Sequence, residues 1–185
     1  MANVEGTNSN DKLFGQSSND SIKGASGDDT LYGYKGNDTL LGGVGNDIVN
    51  GAGLAYNDTR SSQSFGDREI DKLTGGAGKD TFQLWGGSGR SGINVYYDAA
   101  GSSDYALITD FNPAEDIIQL TSKAGASTTM QSVSYILGAS PDGSTSSTGL
   151  YIDKPGTQTD ELIAILQNNT QGSLDINASY FSYYG

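Results

Sequence analysis

Aspartate is the residue whose type and spacing in this chain most clearly could do chemistry. It recurs at an interval of nine residues early in the sequence, and the same interval resumes after a break: Asp11, Asp20, Asp29, Asp38, Asp47, then Asp71 and Asp80. Carboxylates repeated at a fixed period predict a row of oxygen ligands, because ladders of negative charge need a positive partner. This pattern is typical of a cation site rather than of an isolated catalytic pair.

The residue types that are missing narrow the choice of metal. The chain contains no Cys and no His, so it lacks the thiolate and imidazole ligands that zinc, copper and iron favour. Asp and Glu number 22 against 10 Lys and Arg, and the net charge of -12 disfavours nucleic acid or an anionic membrane as a partner. Hard oxygen ligands remain, which makes Ca²⁺ the expected ion. Without a His or Cys base or nucleophile, we expect no enzyme activity.

Glycines stand at fixed offsets from these aspartates. Each nine-residue unit opens with a glycine five positions before its aspartate, and from the third unit onward glycine also fills the fourth position. Glycine permits positive φ and lets backbone carbonyl oxygens approach a shared centre. In units three, four, five and seven, the glycines at positions one, two and four are Gly24, Gly27, Gly33, Gly36, Gly42, Gly43, Gly45, Gly75, Gly76 and Gly78.

An apolar residue follows two positions after each aspartate, so the period also predicts structural elements. Turns that carry oxygens should alternate with short strands that face a thin core. Units one to five span residues 6–14, 15–23, 24–32, 33–41 and 42–50, and unit seven spans 75–83. Unit six begins at Gly51, is interrupted by an insertion at about 52–70, and resumes at Asp71.

These units resemble the nonapeptide repeats of the RTX (haemolysin-type calcium-binding) family, whose pattern is G-G-x-G-x-D-x-U-x. Unit five fits the whole pattern, and the resemblance covers roughly residues 6–83 with a gap. It implies an all-β fold, a right-handed parallel β-roll in which two units complete one coil. It also implies that carbonyls at positions one, two and four join the aspartate at position six, with each ion between one turn and the turn two units later. Pairing the units in this way allows up to about five Ca²⁺ ions.

Two parts of the repeat depart from the pattern. Units one and two lack the glycines at positions two and four, so their sites should be strained or empty. The insertion carries oxygen-bearing residues at 56–59 and Glu69 beside Asp71. It is either an additional Ca²⁺ site, with Glu69 as the best-placed ligand, or a solvated loop.

The repeat stops after Phe82, and residues 84–103 form a Gly-rich stretch with Trp85, Tyr96 and Tyr97. These aromatic residues are either core plugs or stacking faces for a polysaccharide. Asp104 is a further possible metal ligand. The stretch 108–120 is similar to the segment that follows the rolls of serralysin-type proteases and alginate-epimerase repeat modules, which implies that it caps the last coil.

Four later segments have the alternation and β-propensity of strands: 132–137, 149–153, 161–166 and 178–183. They predict a small antiparallel β-sandwich that caps the roll. We therefore expect two regions, a calcium-binding roll at 1–83 and a capping region at 84–185. The aromatic C-terminus lies where RTX proteins carry a type I secretion signal, and packing of an edge strand explains it equally well.

The sequence shows neither an apolar run long enough to span a membrane nor the N-terminal pattern of a signal peptide. Together with the RTX resemblance, this predicts a secreted or cell-surface protein that leaves by the type I secretion machinery. The expected function is a calcium-binding module whose folding is coupled to Ca²⁺ and follows export. The alternative is a calcium-dependent module that binds a polysaccharide or a cell surface.

Overall fold

The structure is a computed structural model that describes residues 1–53, 65–86, 93–124, 131–156 and 158–184. Its regular secondary structure consists almost entirely of short strands. The strands are β1 Asn3–Glu5, β2 Lys12–Phe14, β3 Ser21–Ser26, β4 Thr30–Tyr32, β5 Thr39–Val44, β6 Ile48–Asn50, β7 Ile70–Ala77, β8 Thr81–Gln83, β9 Trp85–Gly86, β10 Asn94–Val95, β11 Tyr105–Ile108, β12 Ile117–Thr121, β13 Lys123–Ala124, β14 Gln131–Ser132, β15 Tyr135–Ala139, β16 Thr148–Ile152, β17 Glu161–Leu166 and β18 Phe181–Tyr184.

The repeats wind as a parallel β-roll. Strands β1, β3, β5 and β7 pair in parallel in one sheet, and β2, β4, β6 and β8 pair in parallel in the other. Successive nonapeptides thus place their strands alternately in the two sheets. The predicted all-β fold with a parallel roll is confirmed.

The apolar residue of each unit lies in register with its equivalent two units later. Leu31 pairs with Val49 across β4 and β6, and Leu40 pairs with Leu73 across β5 and β7. All four side chains are fully buried. This single row from each sheet forms the thin core that the period predicts.

One strand of the roll precedes the first full repeat. Strand β1 places Val4 in register with Ile22 of β3, where the apolar residue of a preceding unit would stand. Sequence analysis missed this strand because only the last residues of a unit are present before Gly6.

The capping region continues both sheets of the roll. Strand β11 pairs in parallel with β7 and β17, and β12 pairs in parallel with β8 and β18. Among the described strands of the larger sheet, antiparallel pairing is confined to β15, β16 and β17. The region therefore differs from the expected small antiparallel sandwich, because the last coil presents unpaired parallel edges that the following strands extend.

The core widens beyond the last repeat. Buried side chains from β11, β12, β16 and β17 cover the apolar end of the roll, among them Ile108, Leu120, Leu150 and Leu166. Phe111 joins the two parts, since its ring meets Phe82 edge-on at 6.3 Å between centroids. In the described part of the chain, no helix is long and apolar enough to cross a membrane.

Candidate metal centre

The repeat aspartates stack into two ladders, and the first runs through the odd-numbered units. In this ladder the Oδ1 atom of each aspartate accepts a hydrogen bond from the backbone N–H of the aspartate two units earlier. Asp29 accepts from Asp11 at 2.8 Å, Asp47 from Asp29 at 2.8 Å, and Asp80 from Asp47 at 2.9 Å. One carboxylate oxygen of each residue is thereby committed to the backbone of the neighbouring turn.

The second ladder runs through the even-numbered units by the same contact. Asp38 Oδ1 accepts from Asp20 N at 2.7 Å, and Asp71 Oδ1 accepts from Asp38 N at 2.7 Å. Ala2 N donates to Asp20 Oδ1 at 2.5 Å, which extends the ladder to the strand before the repeats. The insertion therefore leaves the stacking of the turns intact.

Four aspartates keep their second oxygen, Oδ2, buried and without a hydrogen-bond partner among the described residues: Asp29, Asp38, Asp47 and Asp80. We call these the open aspartates. Each is about 1% exposed. A buried carboxylate oxygen without a partner is costly, and a bound cation supplies the missing partner.

A second oxygen faces each open aspartate of the third to fifth units. At Gly24, a Cβ would lie 2.2 Å from Asp29 Oδ2 and 2.4 Å from the carbonyl oxygen of Gly42, two units later. The equivalent pair of oxygens borders Gly33 and Gly42 at 2.3 to 2.5 Å. The absent side chain at position one thus opens a cradle lined by a carboxylate and a carbonyl oxygen.

Positions two and four turn their carbonyl oxygens toward the next turn of the same ladder. Gly43 and Gly45 have φ of +124° and +141°, and a Cβ on them would lie 2.2 Å and 2.1 Å from the carbonyl oxygens of Ala25 and Gly27. The carbonyls of Gly43 and Gly45 in turn lie against unit seven in the same way. We call the space between a turn and the turn two units later the inter-turn gap. Positions one, two, four and six border it, so its donor set suits Ca²⁺, which accepts flexible oxygen coordination.

Carboxylates do not crowd into larger groups around these gaps. Within the described residues, there is no group of three or more His, Cys, Asp or Glu side chains placed to hold a metal. The sites suggested by the period are instead carbonyl-rich, with one carboxylate from each turn. Such a set excludes the nitrogen and sulfur chemistry of zinc.

Burial and neighbouring negative charge disfavour the ionised form of three of the ladder aspartates, Asp38, Asp71 and Asp80. Burial, with the charge of Asp71 as the next cause, raises the pKa of Asp38 to about 9. Burial raises the pKa of Asp71 to about 7, and burial with the charge of Asp116 raises the pKa of Asp80 to about 6. A cation in the gap would offset both causes.

The turns of units one and two close on themselves. Asp11 Oδ2 accepts hydrogen bonds from the backbone N–H and the hydroxyl of Thr7 at 2.6 and 2.8 Å. Asp20 Oδ2 accepts from the backbone N–H of Gln16 at 2.6 Å. Thr7 and Gln16 occupy the second position, where units three, four, five and seven carry a residue with positive φ. The Oδ2 of each of these aspartates therefore has a partner within its own turn, and neither residue is an open aspartate.

The sixth turn also differs from the open turns. Asp71 Oδ2 accepts a hydrogen bond from the Tyr97 hydroxyl at 2.6 Å, and both side chains are fully buried. Burial raises the pKa of Tyr97 well above its ordinary value, so the hydroxyl keeps its proton. Glu69 reaches the neighbouring turn, where its Oε1 accepts from Gly36 N at 3.0 Å. The oxygen-bearing residues at 56–59 lie outside the described residues.

The remaining predicted residues have structural partners. Asp104 is fully buried, and its two carboxylate oxygens accept from Arg68 N at 3.2 Å and Ala100 N at 3.1 Å, which accounts for its burial without a metal. Tyr96 and Tyr97 are also fully buried. Their burial favours the core-plug interpretation, because the core that caps the roll encloses both rings.

Trp85 is half-buried and belongs to the same capping structure. Its ring stacks on Tyr184 with 4.1 Å between centroids, and its indole N–H donates to Gln119 Oε1 at 3.0 Å. Both contacts tie the stretch after the last repeat to the C-terminal strand. These contacts match the interpretation of Trp85 as a residue that plugs the core.

Sequence reasoning missed a second ladder of hydrogen bonds beside the aspartates. The residue at position five is Asn or Asp in units one to five, and its side-chain oxygen accepts a backbone N–H from the turn two units later, at 2.8 to 3.1 Å. The residues concerned are Asn10, Asn19, Asp28, Asn37 and Asn46. Their spacing of nine residues is visible in the sequence, but a polar side chain next to a repeat aspartate does not by itself predict a hydrogen bond between turns.

It also missed the turn that follows unit seven. Asp116 Oδ1 accepts from Asp80 N at 3.0 Å and so continues the first ladder. Asp110 accepts from Gly75 N at 3.0 Å and Gly76 N at 2.9 Å. The sequence does contain a signal for this turn, because Asp116 stands a multiple of nine residues after Asp80.

Comparison with known proteins finds one family model that matches the repeats and several similar solved structures. The family model described as the RTX calcium-binding nonapeptide repeat matches in four copies, over residues 5–40, 24–55 and 64–93, and it is a family of repeats rather than of enzymes. Similar solved structures include the AlgE6R2 subunit of the mannuronan C5-epimerase of Azotobacter vinelandii, at 22% identity over 97% of this chain and 91% of that chain, with a TM-score of 0.33. The AlgE6R3 subunit of the same enzyme is 25% identical over 94% of this chain and 84% of that one, with a TM-score of 0.26. No curated protein sequence matches the chain. Over the residues that the family model covers, the nonapeptide repeats of this chain match the RTX calcium-binding repeat.

Proposed function

We propose that the chain is a calcium-dependent folding module, in which Ca²⁺ fills the inter-turn gaps and folding is coupled to binding. The observation that carries this proposal is the buried, unpartnered Oδ2 of the four open aspartates. When bound, the ion supplies the positive charge and the oxygen coordination that those atoms lack.

The gap between units three and five illustrates which residues would hold an ion. Its oxygens are Asp29 Oδ2 and the carbonyls of Ala25, Gly27 and Gly42. The aspartate contributes charge, the carbonyls contribute uncharged ligands, and the thin core beneath holds the two turns in register. The gap between units five and seven has the equivalent set at Asp47, and at Asp38 the open Oδ2 lies beside the carbonyl oxygen of Gly51. These three gaps are the strongest candidates within the repeats.

The size of the electrostatic effect explains why folding should need the ion. Carboxylates about 5 Å apart repel by roughly 3 kcal/mol at an effective dielectric constant of 20, and this repulsion recurs along both ladders. A site filled at about ten times its dissociation constant contributes roughly 1.4 kcal/mol, so four open turns contribute about 6 kcal/mol. That sum is comparable with the whole stability of a small domain.

A calcium titration followed by circular dichroism tests the proposal. With calcium chelated, we expect a largely disordered chain that folds cooperatively as Ca²⁺ rises through roughly 0.1 to 1 mM, the range of extracellular sites. Mg²⁺ should substitute poorly, because it demands a tight octahedral shell and keeps its water. A spectrum already rich in β-structure without metal would overturn the coupling of folding to binding.

We further propose that this coupling serves export, with the chain secreted unfolded by a type I route and folded by extracellular calcium. The net charge of -12 and the low content of apolar residues favour an unfolded chain where calcium is scarce. The C-terminal strand β18 pairs with β12, and Phe181 is buried, so this end of the chain also has a structural role.

Secretion from a type I-competent cell tests whether the C-terminal residues act as an export signal or only stabilise the fold. Removal of residues 174–185 should abolish export if the signal lies there. Trp85→Ala is the matched control, since it removes the partner of Tyr184 but keeps the C-terminal sequence. Loss of export in the truncated chain alone supports the signal, whereas undiminished secretion of the truncated chain would refute it.

A further inference from the structure

The Tyr97 hydroxyl stands where an open turn has a carbonyl oxygen. At Gly51, the first position of unit six, a Cβ would lie 2.4 Å from Tyr97 Oη and 2.5 Å from Asp71 Oδ2. At Gly24, the first position of unit three, a Cβ would lie 2.4 Å from the carbonyl oxygen of Gly42 and 2.2 Å from Asp29 Oδ2. One atom of the cradle has therefore changed from a carbonyl oxygen to a phenol oxygen.

This exchange alters the chemistry of the cradle. A carbonyl and a carboxylate are both acceptors, so they need a cation between them. A phenol can donate, and Tyr97 Oη donates directly to Asp71 Oδ2 at 2.6 Å. Asp71 thus differs from the four open aspartates, because its second oxygen already has a strong, charge-assisted partner.

The ring of Tyr97 is fixed in this position by the backbone around it. Tyr97 N donates to the carbonyl oxygen of Phe65 at 2.8 Å. Gly66 lies against the ring, where a Cβ would come within 2.5 Å of a ring carbon. Since Tyr97 and Asp71 are both fully buried, the hydroxyl has no room to swing away from the carboxylate.

We propose that the Tyr97 hydroxyl takes the place of a calcium ion at the sixth turn, so that Asp71 closes its ladder with a hydrogen bond and its Oδ2 holds no metal. The inference rests on the proposed function, because it distinguishes one turn from turns that do bind Ca²⁺. The two ladders then end differently. The first passes through the open Asp80, and the second stops at Tyr97.

The number of Ca²⁺ ions bound per chain at saturation tests this closure. Calorimetric titration would compare the unaltered chain with Asp71→Asn and Asp47→Asn, two substitutions that keep the Oδ1 acceptor of their ladders. We expect Asp47→Asn to bind one ion fewer and Asp71→Asn to keep the full number. Loss of one ion from Asp71→Asn as well would overturn the closure, while a full number in Asp47→Asn would defeat the proposed function and this inference with it.

A spectroscopic measurement gives an answer that does not depend on either aspartate variant. In calcium-saturated protein, NMR should show a slowly exchanging hydroxyl proton that is missing from Tyr97→Phe. A metal ion at Asp71 Oδ2 would compete for that oxygen and release the hydroxyl to solvent. A Tyr97 hydroxyl that exchanges freely in saturating calcium would therefore overturn the inference.

Discussion

Each ladder aspartate uses its two carboxylate oxygens differently. Oδ1 accepts a backbone N–H from the turn two units earlier, and Oδ2 faces the inter-turn gap. The first contact is made within the protein, while the second oxygen needs a cation, a backbone N–H or a phenol as its partner. Repeats with similar sequences can therefore differ in whether they form a metal site, because the partner of Oδ2 differs among them.

Asp38→Ala should raise the calcium midpoint of folding more than Asp98→Ala. Asp38 carries an open Oδ2 and also accepts from Asp20 N, whereas Asp98 is an exposed residue outside both ladders. Loss of one site filled at about ten times its dissociation constant lowers the folding equilibrium constant roughly tenfold at fixed calcium. Circular dichroism during titration measures both midpoints, and equal midpoints would contradict the assignment of Asp38.

The period of nine made the ladders and the roll predictable, because stacked turns repeat the same contacts. It could not predict the partner of Asp71, since Tyr97 comes from a segment without a repeat and meets Asp71 only in the folded chain. The same holds for Asp104, a further possible ligand in the sequence, whose oxygens accept backbone hydrogen bonds from Arg68 and Ala100. Local periodicity thus predicts contacts between like units and is silent about contacts with the cap.

The turns bring backbones closer than most side chains allow. Position two has positive φ even where it is not glycine, as in Ala25 at +85° and Tyr34 at +73°. Such conformations cost roughly 1 to 2 kcal/mol for residues with a Cβ. Their presence indicates that the stacked turn imposes its geometry on the residue and not the reverse.

Gly43→Ala should destabilise the calcium-loaded fold more than Gly172→Ala. Both glycines have positive φ, but a Cβ on Gly43 would lie 2.2 Å from the carbonyl oxygen of Ala25, and a Cβ on Gly172 would meet no described atom within 4 Å. The two variants share the backbone strain, so their difference isolates the clash, which should cost about 1 to 3 kcal/mol. Thermal unfolding in saturating calcium measures it, and equal losses would show that the turns can separate freely.

Asn46→Ala tests the ladder at position five. Asn46 Oδ1 accepts from Lys79 N at 2.9 Å, and its amide donates to Asp28 Oδ1 at 3.2 Å. Removing these bonds should lower the free energy of unfolding by about 1 kcal/mol while leaving the number of bound ions unchanged. Asn8→Ala in the exposed first turn serves as the control. A lost ion in Asn46→Ala would mean that the ladder is part of a metal site.

The molecule is held together by two sheets that run from the repeats into the cap without interruption. Parallel pairing of β7 with β11 and of β8 with β12 carries the roll past its last repeat. The change of sequence character after Phe82 therefore marks a change in what stabilises the coils. The repeats depend on carboxylates and a thin core, while the cap depends on a thicker apolar core.

Trp85→Ala should lower the melting temperature in saturating calcium without altering the number of bound ions. The change removes the stack on Tyr184 and the hydrogen bond to Gln119, which together should cost about 2 kcal/mol. Trp85→Phe keeps an aromatic ring and should lose less. Unaltered stability together with lost retention on a polysaccharide would instead favour the binding alternative.

The ladders tolerate a large change of chain length between stacked turns. Consecutive aspartates of a ladder are 18 residues apart in most of the roll and 33 apart across the interruption, yet both steps make the same hydrogen bond at 2.7 to 2.9 Å. Closing the longer segment costs only about 0.5 kcal/mol more in chain entropy. A change of chain length between Asp38 and Asp71, or between Asp47 and Asp80, therefore costs little chain entropy while the coils on either side keep their register.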